Sequence, residues 1–263
     1  MPKGFFTDTT VCIGCKACEV ACKQWNQLPD DGVFFTGMSY DNSVDLGAST
    51  WRHVEFIERP VPMGGQTNGN FSWLMLSDVC KHCRRAGCLE ACPTGAIIRT
   101  EFDSVYVQPD VCNGCGYCVV ACPFGAIDRL EDDGRAWKCT LCYDRLKGDL
   151  EPACAKACPT DSIIFGELAE LREKAEARVA QLHERGVTEA YLYGVDEHNQ
   201  PGTEGLNAFF LLVDKPEVYN LPPDPVVPTK KVAQGWASLA LASLGLLAAA
   251  AVSVLSTNQR GRR

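Results

Sequence analysis

The sequence predicts an α+β protein in which two small cysteine-rich modules, one nested inside the other, precede a single transmembrane helix. Two observations lead to this prediction. All sixteen cysteines of the 263-residue chain fall into four compact blocks, and an uncharged apolar stretch extends from Gly235 to Leu255. The blocks indicate the kind of module, and the apolar stretch indicates a membrane anchor.

Two of the four cysteine blocks share one spacing. Blocks one and three read C-x2-C-x2-C-x3-C, whereas the middle gap grows to x4 in block two and to x11 in block four. In chain order the blocks are Cys12, Cys15, Cys18, Cys22; Cys80, Cys83, Cys88, Cys92; Cys112, Cys115, Cys118, Cys122; and Cys139, Cys142, Cys154, Cys158. The shared spacing is that of bacterial ferredoxins, in which three thiolates bind one [4Fe-4S] cluster and the fourth binds a neighbouring cluster.

This spacing has a mechanical reason. Two-residue gaps let the chain curl around a cluster with its N–H groups directed at the sulfurs, and glycines in the curls permit close approach. Zinc is the alternative ligand, because C-x2-C pairs also build zinc ribbons. Disulfides are disfavoured, because disulfide-rich scaffolds are usually short secreted chains. Two ferredoxin spacings, three Cys-Pro endings and no leftover cysteine predict four [4Fe-4S] clusters and electron transfer.

The block order predicts how the modules are arranged. Blocks two and three are adjacent and can exchange their fourth cysteines, which leaves blocks one and four to pair across them. The fold class is therefore two nested [4Fe-4S] ferredoxin-like modules with insertions, plus one C-terminal transmembrane helix. The first module comprises residues 1–22 and 137–165, and the second comprises residues 80–136.

The segments between blocks carry short strands. Within an insertion at residues 23–79, Trp51–Glu58 and Phe71–Leu76 are predicted to form a β-hairpin around the Gly-rich loop PVPMGGQTNGN. Further short strands are predicted at Ala96–Arg99, Ser104–Gln108 and Ala126–Arg129.

Residues 166–213 are predicted to extend the modules by a helix and strands. Glu167–Arg185 has one apolar stripe and ends at Gly186, which indicates a helix packed on the cluster domains. The stripe consists of Leu168, Leu171, Ala175, Val179 and Leu182. Strands at Tyr191–Tyr193 and Ala208–Val213 follow. Five prolines then predict a stiff, extended arm over residues 214–231.

The apolar stretch near the C-terminus is long enough to cross a bilayer, since a helix rises about 1.5 Å per residue. A transmembrane helix is predicted at residues 232–257, with Trp236 as an interfacial anchor and a basic tail at 258–263. The alternative is an Ala-rich helix that is buried or lies on a partner. Met1–Val11 lacks the apolar segment of a signal peptide.

Composition limits the function further. The formal net charge is −8, and four oxidised clusters would take it to roughly −16, because each adds roughly −2. This argues against nucleic acid as a partner. Seven basic residues near the cysteines would partly offset the cluster charge and raise cluster potentials: Lys16, Lys23, His82, Arg84, Arg85, Lys138 and Lys156. The alternative for each of them is an ordinary solvated side chain. No pterin-binding or nucleophilic constellation appears, so no catalytic residue is predicted.

The four cysteine blocks and their flanking residues resemble those of a known family. The segments VCIGCKACEVACKQWN, VCKHCRRAGCLEACPTGAI, VCNGCGYCVVACPFGAI and KCTLCYDRLKGDLEPACAKACPT resemble the iron–sulfur beta subunit of membrane-bound formate dehydrogenases. The cysteine blocks alone are shared with subunits that serve hydrogenases and other molybdopterin reductases. AYLYG, PEVYNLPPDP and the terminal helix favour the formate enzymes. Nitrate reductase subunits typically have tryptophan in place of Cys115.

The resemblance implies the ligands of each cluster. Cys12, Cys15 and Cys18 with Cys158 would hold the first cluster, and Cys139, Cys142 and Cys154 with Cys22 the second. Cys80, Cys83 and Cys88 with Cys122 would hold the third, and Cys112, Cys115 and Cys118 with Cys92 the fourth.

The resemblance also implies partners and location. The chain would be a non-catalytic subunit that relays electrons from a molybdenum or tungsten catalytic (alpha) subunit to a membrane gamma subunit, a cytochrome b or other quinone-reactive protein. The C-terminal helix would cross the lipid bilayer once, with the body on the periplasmic side and the C-terminus in the cytoplasm. Alternatives are an equivalent subunit of a hydrogenase or another molybdopterin reductase, and a membrane-anchored zinc scaffold.

Overall fold

A computed structural model describes residues 1–30, 32, 37, 41, 43–59 and 72–260. The chain divides into two compact units, Met1–Val227 and Pro228–Arg263. The predicted Gly-rich hairpin loop and residues 261–263 of the predicted basic tail lie outside the described residues.

A four-stranded sheet joins distant parts of the first unit. Its strands are β1 (Lys3–Asp8), β8 (Ile163–Glu167), β9 (Tyr191–Tyr193) and β10 (Ala208–Leu212), in the spatial order β8-β1-β10-β9. β1 runs parallel to β10 and antiparallel to β8, and β9 is antiparallel to β10. The predictions of β9 and β10 are confirmed, with β10 ending one residue earlier than expected. β1 and β8 are additional strands.

Helix α6 (Leu168–Glu184) covers this sheet. The predicted stripe faces inward, since Leu168, Leu171, Ala175 and Leu182 are buried in one core with Phe209. Apolar residues at i, i+3 and i+7 line up on one helix face, which explains this burial. The helix is confirmed within one residue at each end, and its stripe packs on the sheet rather than directly on the cysteine blocks.

The predicted hairpin is confirmed, with β2 at Arg52–Arg59 and β3 at Ser72–Val79. β2 begins one residue later than expected. β3 extends three residues beyond the expected Leu76. The pairing is antiparallel, and its register joins Arg52 to Val79 and Glu58 to Trp73.

Short helices and strands surround the cysteines. They are α1 (Ala17–Trp25), α2 (Gly87–Glu90), β4 (Ile97–Arg99), β5 (Val105–Val107), α3 (Tyr117–Ala121), β6 (Asp128–Arg129), β7 (Ala136–Trp137), α4 (Tyr143–Lys147) and α5 (Ala153–Lys156). β4 pairs with β5, and β6 pairs with β7. α1 packs beside α5, and α2 packs beside α3. The elements of blocks one and four are thus neighbours, as are those of blocks two and three.

The predicted extended arm is wrong for most of its length. Residues up to Val227 belong to the first unit, and Tyr219, Leu221 and Val227 are at most 2% exposed. Tyr219 and Leu221 pack into the same core as α6, and Tyr193 donates a hydrogen bond to the carbonyl of Pro222 at 2.5 Å. Apolar residues between the prolines therefore fix this segment against the sheet.

The second unit consists of a short 3-10 turn at Pro228–Lys231 and helix α7 (Val232–Arg260). Within the described part of the chain, one stretch, Pro228–Ser253, is long and apolar enough to cross a membrane, as judged by length and composition.

Candidate iron–sulfur centres

All four cysteine blocks begin with the same backbone turn. The residue directly before the second cysteine has a positive φ in every block: +64° at Gly14, +43° at His82, +72° at Gly114 and +60° at Leu141. Left-handed backbone favours glycine, and glycine occupies it in the two blocks with ferredoxin spacing. His82 and Leu141 adopt it although both are fully buried. The turn is thus repeated in all four blocks, although glycine marks it in the sequence of only two.

Group 1 consists of Cys12, Cys15, Cys18 and Cys158, whose side chains line one cavity. Burial raises the pKa of the Cys12 thiol, a hydrogen bond from the Gly14 backbone partly offsets this rise, and the adjacent Cys158 adds to it. Burial likewise raises the pKa of Cys18 to about 11, and Ser77 Oγ lies 3.2 Å from Cys18 Sγ. Four convergent thiols from two distant blocks are suited to bind one cluster.

Group 2 consists of Cys22, Cys139, Cys142 and Cys154. Burial raises the pKa of Cys22 well above its ordinary value, and the other three cysteines of the group reinforce the shift. α1 carries Cys18 and Cys22 one helical turn apart, so one helix contributes a thiol to group 1 and another to group 2. The Leu141 N–H donates to Cys139 Sγ at 3.4 Å, a bond that favours the thiolate.

Group 3 consists of Cys80, Cys83, Cys88 and Cys122. Burial raises the pKa of Cys83 well above its ordinary value, and Cys122, Cys80 and Cys88 add to this effect. Burial also raises the pKa of Cys88 to about 12. Buried thiols with raised pKa values lose their protons only when a nearby cation stabilises the thiolates. The irons of a [4Fe-4S] cluster would supply that positive charge.

Group 4 consists of Cys92, Cys112, Cys115 and Cys118. Burial raises the pKa of Cys118 to about 11, and Cys112, Cys115 and Cys92 contribute in the same direction. Hydrogen bonds stabilise two of these sulfurs: the Ala136 N–H donates to Cys112 Sγ at 3.4 Å, and Thr94 Oγ1 lies 3.6 Å from Cys92 Sγ.

The four groups border one another in series. After burial, which is the largest effect, Cys154 of group 2 contributes to the raised pKa of Cys18 in group 1. Cys80 of group 3 contributes likewise to that of Cys139 in group 2. Cys118 of group 4 contributes to that of Cys88 in group 3. Packing agrees, since one core contains Cys18, Cys22, Cys80, Cys139 and Cys154 and another contains Cys88 and Cys118. The order of neighbours is therefore 1, 2, 3 and 4.

The two ends of this series reach the surface. Cys15 of group 1 and Cys115 of group 4 are exposed, whereas all four cysteines of group 2 are buried. Exposed apolar side chains lie in the same blocks at each end, with Val20 66% exposed in block one and Val120 88% exposed in block three. Electrons could therefore enter and leave through the ends of the series.

A single metal ion does not fit these cysteines. Within the described ranges, no three Cys, His, Asp or Glu side chains converge closely enough to bind one ion. Zinc needs ligands at about 2.0–2.3 Å from one point. The cysteine spacing and the convergence of four thiols in each group are instead suited to multi-iron clusters, which are held by four thiolates each.

The basic residues predicted to offset cluster charge differ in their surroundings. Lys16 forms ion pairs with Glu19 at 3.3 Å and Asp41 at 2.9 Å. Burial, followed by the positive charges of Lys138, Arg99 and Arg52, depresses the pKa of His82 well below its usual range. A neutral His82 supplies no charge. Lys138, in contrast, is buried with three cysteines around it.

One buried cation was missed by sequence reasoning. Arg52 is 1% exposed, and its Nη2 donates to Cys154 Sγ at 3.3 Å. The predicted strand at Trp51–Glu58 already indicated that Arg52 would be buried. Arg52 lies two residues before Val54 and four before Phe56, so the pleat places it on the same face as two apolar residues.

Comparisons with known proteins agree with this site. Two models, each described as a 4Fe-4S dicluster domain, match residues 11–96 and 71–168. The nitrate-inducible formate dehydrogenase iron–sulfur subunit of Escherichia coli K12 is 42% identical over 245 residues, which cover 92% of this chain and 79% of the relative. The formate dehydrogenase iron–sulfur subunit of Haemophilus influenzae is 41% identical over 248 residues, covering 91% and 76%. The B subunit of the anaerobic dimethyl sulfoxide reductase of E. coli K12 is 36% identical over 171 residues, covering 65% and 76%.

The domain matches and the cysteine groups define an electron-transfer protein that carries [4Fe-4S] clusters. Within that class, the chain belongs to the family of formate dehydrogenase iron–sulfur subunits.

Proposed function

We propose that the chain carries four [4Fe-4S] clusters, one in each group of thiols, and relays electrons from a formate-oxidising catalytic subunit to a quinone-reducing membrane subunit. The observation that carries this proposal is the series of four neighbouring groups whose two ends are exposed. Membership of the formate dehydrogenase family supports formate as the source of the electrons.

The ligand sets follow the four groups, with each fourth cysteine crossing to the partner block. Cys158 would complete the cluster of block one, Cys22 that of block four, Cys122 that of block two and Cys92 that of block three. Support comes from the cavity that Cys158 shares with Cys12 and from the packing of α1 beside α5 and of α2 beside α3. This pairing nests the second module inside the first.

A [4Fe-4S] cluster accepts and releases one electron at a time, without a proton. Oxidation of formate to carbon dioxide releases two electrons and one proton at the catalytic partner, so two successive electrons must pass. This chain's residues hold the clusters, exclude water and donate N–H···S bonds, as Leu141 and Ala136 do. Burial and such bonds set cluster potentials.

Each exposed end would dock one partner. The end at group 1, with the exposed side chains Ile13 and Val20, would face the molybdenum or tungsten subunit. The end at group 4, with Tyr117 and Val120, would face the membrane gamma subunit. α7 would anchor the chain in the bilayer, because Pro228–Ser253 is long and apolar enough to span it.

The test uses the complex purified without oxygen. Formate is expected to reduce the clusters, seen by low-temperature EPR, and to drive quinone reduction. Cys115→Ser in group 4 should abolish quinone reduction while formate still reduces group 1. Reduction by hydrogen but not by formate would assign the chain to a hydrogenase. Zinc without iron in the purified protein would instead indicate a scaffold.

A further inference from the structure

Arg52 places a buried positive charge between groups 1 and 2. Its Nη2 donates to Cys154 Sγ of group 2 at 3.3 Å, and its Nη1 donates to Ser77 Oγ at 3.2 Å. Ser77 Oγ in turn lies 3.2 Å from Cys18 Sγ of group 1. The ring of Phe5 lies 4.8 Å from the guanidinium carbon. The guanidinium is thus fixed on one side by a group 2 sulfur and on the other by a serine that contacts group 1.

Arg52 faces sulfur atoms rather than carboxylates. In the described part of the chain no carboxylate pairs with it, and its buried Nε has no hydrogen-bond acceptor. Burial lowers the pKa of Arg52, but Cys154, Cys18, Cys139 and Cys22 reverse this, and the net shift is upward. A buried charge without a counterion is strongly destabilising. Clusters in groups 1 and 2 would supply the missing negative charge.

Lys138 repeats this arrangement one step along the series. It is 2% exposed, and its Nζ donates to the backbone carbonyls of Val105 and Cys139. Burial lowers its pKa, whereas Cys80 and Cys88 of group 3 and Cys139 of group 2 raise it, with a net upward shift. Its Nζ is thus held between the Cys139 backbone of group 2 and Val105, whose N–H donates to His82 Nδ1 within block two at 3.1 Å.

Two other cations near the cysteine groups pair with carboxylates. Lys81 is also buried, but it forms an ion pair with Asp78. Arg85 forms ion pairs with Glu90 and Glu204. Arg52 and Lys138 differ from these because thiols and carbonyls, rather than carboxylates, surround them.

We propose that the positive charges of Arg52 and Lys138 tune the clusters of the electron relay. Arg52 raises the reduction potentials of clusters 1 and 2, and Lys138 raises those of clusters 2 and 3. The proposal deepens the proposed function and rests on it. A fixed positive charge stabilises the reduced cluster, which carries one more negative charge than the oxidised one. Low local polarity strengthens this effect. Each transfer moves one electron between neighbouring clusters, with no proton or bond exchanged.

The experiment is a redox titration of the full-length chain in its complex, followed by low-temperature EPR. Mediators and dithionite set the potential, so the result does not depend on formate. The variants Cys15→Ser, Cys142→Ser, Cys83→Ser and Cys115→Ser assign the signals of clusters 1 to 4. Arg52→Gln retains an amide donor near Cys154 Sγ but removes the charge, and Arg52→Lys retains the charge. Arg185→Gln is the matched control, since it removes an exposed cation that directly follows the C-terminal end of α6.

Each neutral variant should affect only the two clusters that lie on either side of the substituted residue. Arg52→Gln should shift the reduced-to-oxidised ratio of clusters 1 and 2 about tenfold toward oxidised at a fixed potential, which corresponds to ~59 mV for a one-electron couple. Clusters 3 and 4 should stay unchanged. Lys138→Met should shift clusters 2 and 3 instead. Arg52→Lys and Arg185→Gln should leave the ratios as in the wild type.

Two results would overturn the proposal. One is unchanged potentials in both neutral variants with all clusters present. The other is equal shifts in all four clusters, which would indicate a general structural effect. If Arg52→Gln loses clusters 1 and 2 altogether, the Lys138→Met titration decides the matter, because it reads clusters 2 and 3. A complex that shows the shifts but does not respond to formate would contradict the proposed function alone.

Discussion

The Cys12 and Cys158 thiols line one cavity although they belong to the first and last cysteine blocks. Cys158 lies in the turn between α5 and β8, and β8 pairs with β1, which leads directly into block one. The sheet therefore brings the two ends of the cysteine-rich region together. This contact underlies the crossed ligand sets and can be tested by substitution.

Replacing one crossing cysteine should damage a cluster held by a distant block. Cys158→Ser is expected to alter or remove the cluster of Cys12, Cys15 and Cys18, because Cys158 shares their cavity. Cys142→Ser should instead affect the cluster that Cys22 completes. EPR spectra of both variants check this. Selective loss of the Cys139 and Cys142 cluster in Cys158→Ser would show that the pairing is wrong.

The iron content should match four complete clusters. Sixteen cysteines at four ligands per cluster predict about sixteen irons per chain after anaerobic purification. No [3Fe-4S] centre is expected, because every ligand position holds a cysteine. Iron analysis and EPR of the isolated protein check this. A strong isotropic signal near g ~2.0 that persists without oxygen would contradict four intact [4Fe-4S] clusters.

Much of the fold could be predicted from local patterns. The helix α6 and the strand β9 follow from an apolar stripe and from the sequence YLY, which are local signals. β1 was missed, because its sequence KGFFTD has no alternation and becomes a strand through pairing with β8 and β10. Long-range pairing of this kind leaves little trace in the strand's own residues.

The candidate site also has features that local sequence predicts and features that only tertiary contacts create. Cysteine spacing predicted the four blocks of ligands, since the turn needs fixed gaps, and the structure brings the thiols of different blocks together. The spacing did not reveal that His82 and Leu141 adopt the left-handed backbone that glycine adopts at positions 14 and 114. Arg52 was also missed, because its role depends on Cys154 from a block far along the chain. Tertiary contacts decide both features.

Adding a methyl group at Gly114 should weaken cluster 4. The φ of this residue is +72°, and a Cβ there would lie 2.5 Å from the backbone oxygen of Gly134. The left-handed backbone alone costs about 1–2 kcal/mol for a non-glycine residue, and the contact adds to it. Gly114→Ala should therefore lose the signal of cluster 4 at a lower temperature than the wild type.

Gly134→Ala is the matched control for this prediction. Its φ is +70°, and a Cβ there meets nothing within 4 Å. The control should lower the temperature of cluster loss less than Gly114→Ala does. Equal effects of the two variants would mean that the close approach to the Gly134 carbonyl is unimportant.

Stability should depend on the protonation of His53. Its Nε2 lies 3.3 Å from Glu55 Oε2 and 3.5 Å from Asp41 Oδ2, and its Nδ1 lies 3.7 Å from Glu19 Oε1. Burial lowers the pKa of His53, but the three carboxylates raise it, and the net shift is upward. A raised folded pKa stabilises the protein below the unfolded value of about 6.5, and this stabilisation is lost as the pH rises through the folded pKa.

Thermal unfolding between about pH 6 and about pH 8 measures this contribution. The wild type should lose stability as the pH rises, and His53→Gln should show a flatter profile. His183→Gln is the control, because His183 contacts the carbonyl of Ala190 at 2.8 Å instead of this carboxylate cluster. The prediction is wrong if His53→Gln retains the pH dependence of the wild type.

The charges that flank the apolar stretch of α7 predict its orientation in the membrane. Lys230 and Lys231 precede the apolar stretch, whereas Arg260, Arg262 and Arg263 follow it. Positive charges remain preferentially in the cytoplasm, so a margin of one charge predicts a cytoplasmic C-terminus and a cysteine-rich body on the outer face. A reporter enzyme that works only in the cytoplasm, fused after Arg263, should therefore be active. Protease added to intact spheroplasts should degrade the residues before Val232. A protected body together with a silent reporter would reverse the orientation, and the complex would then oxidise formate in the cytoplasm.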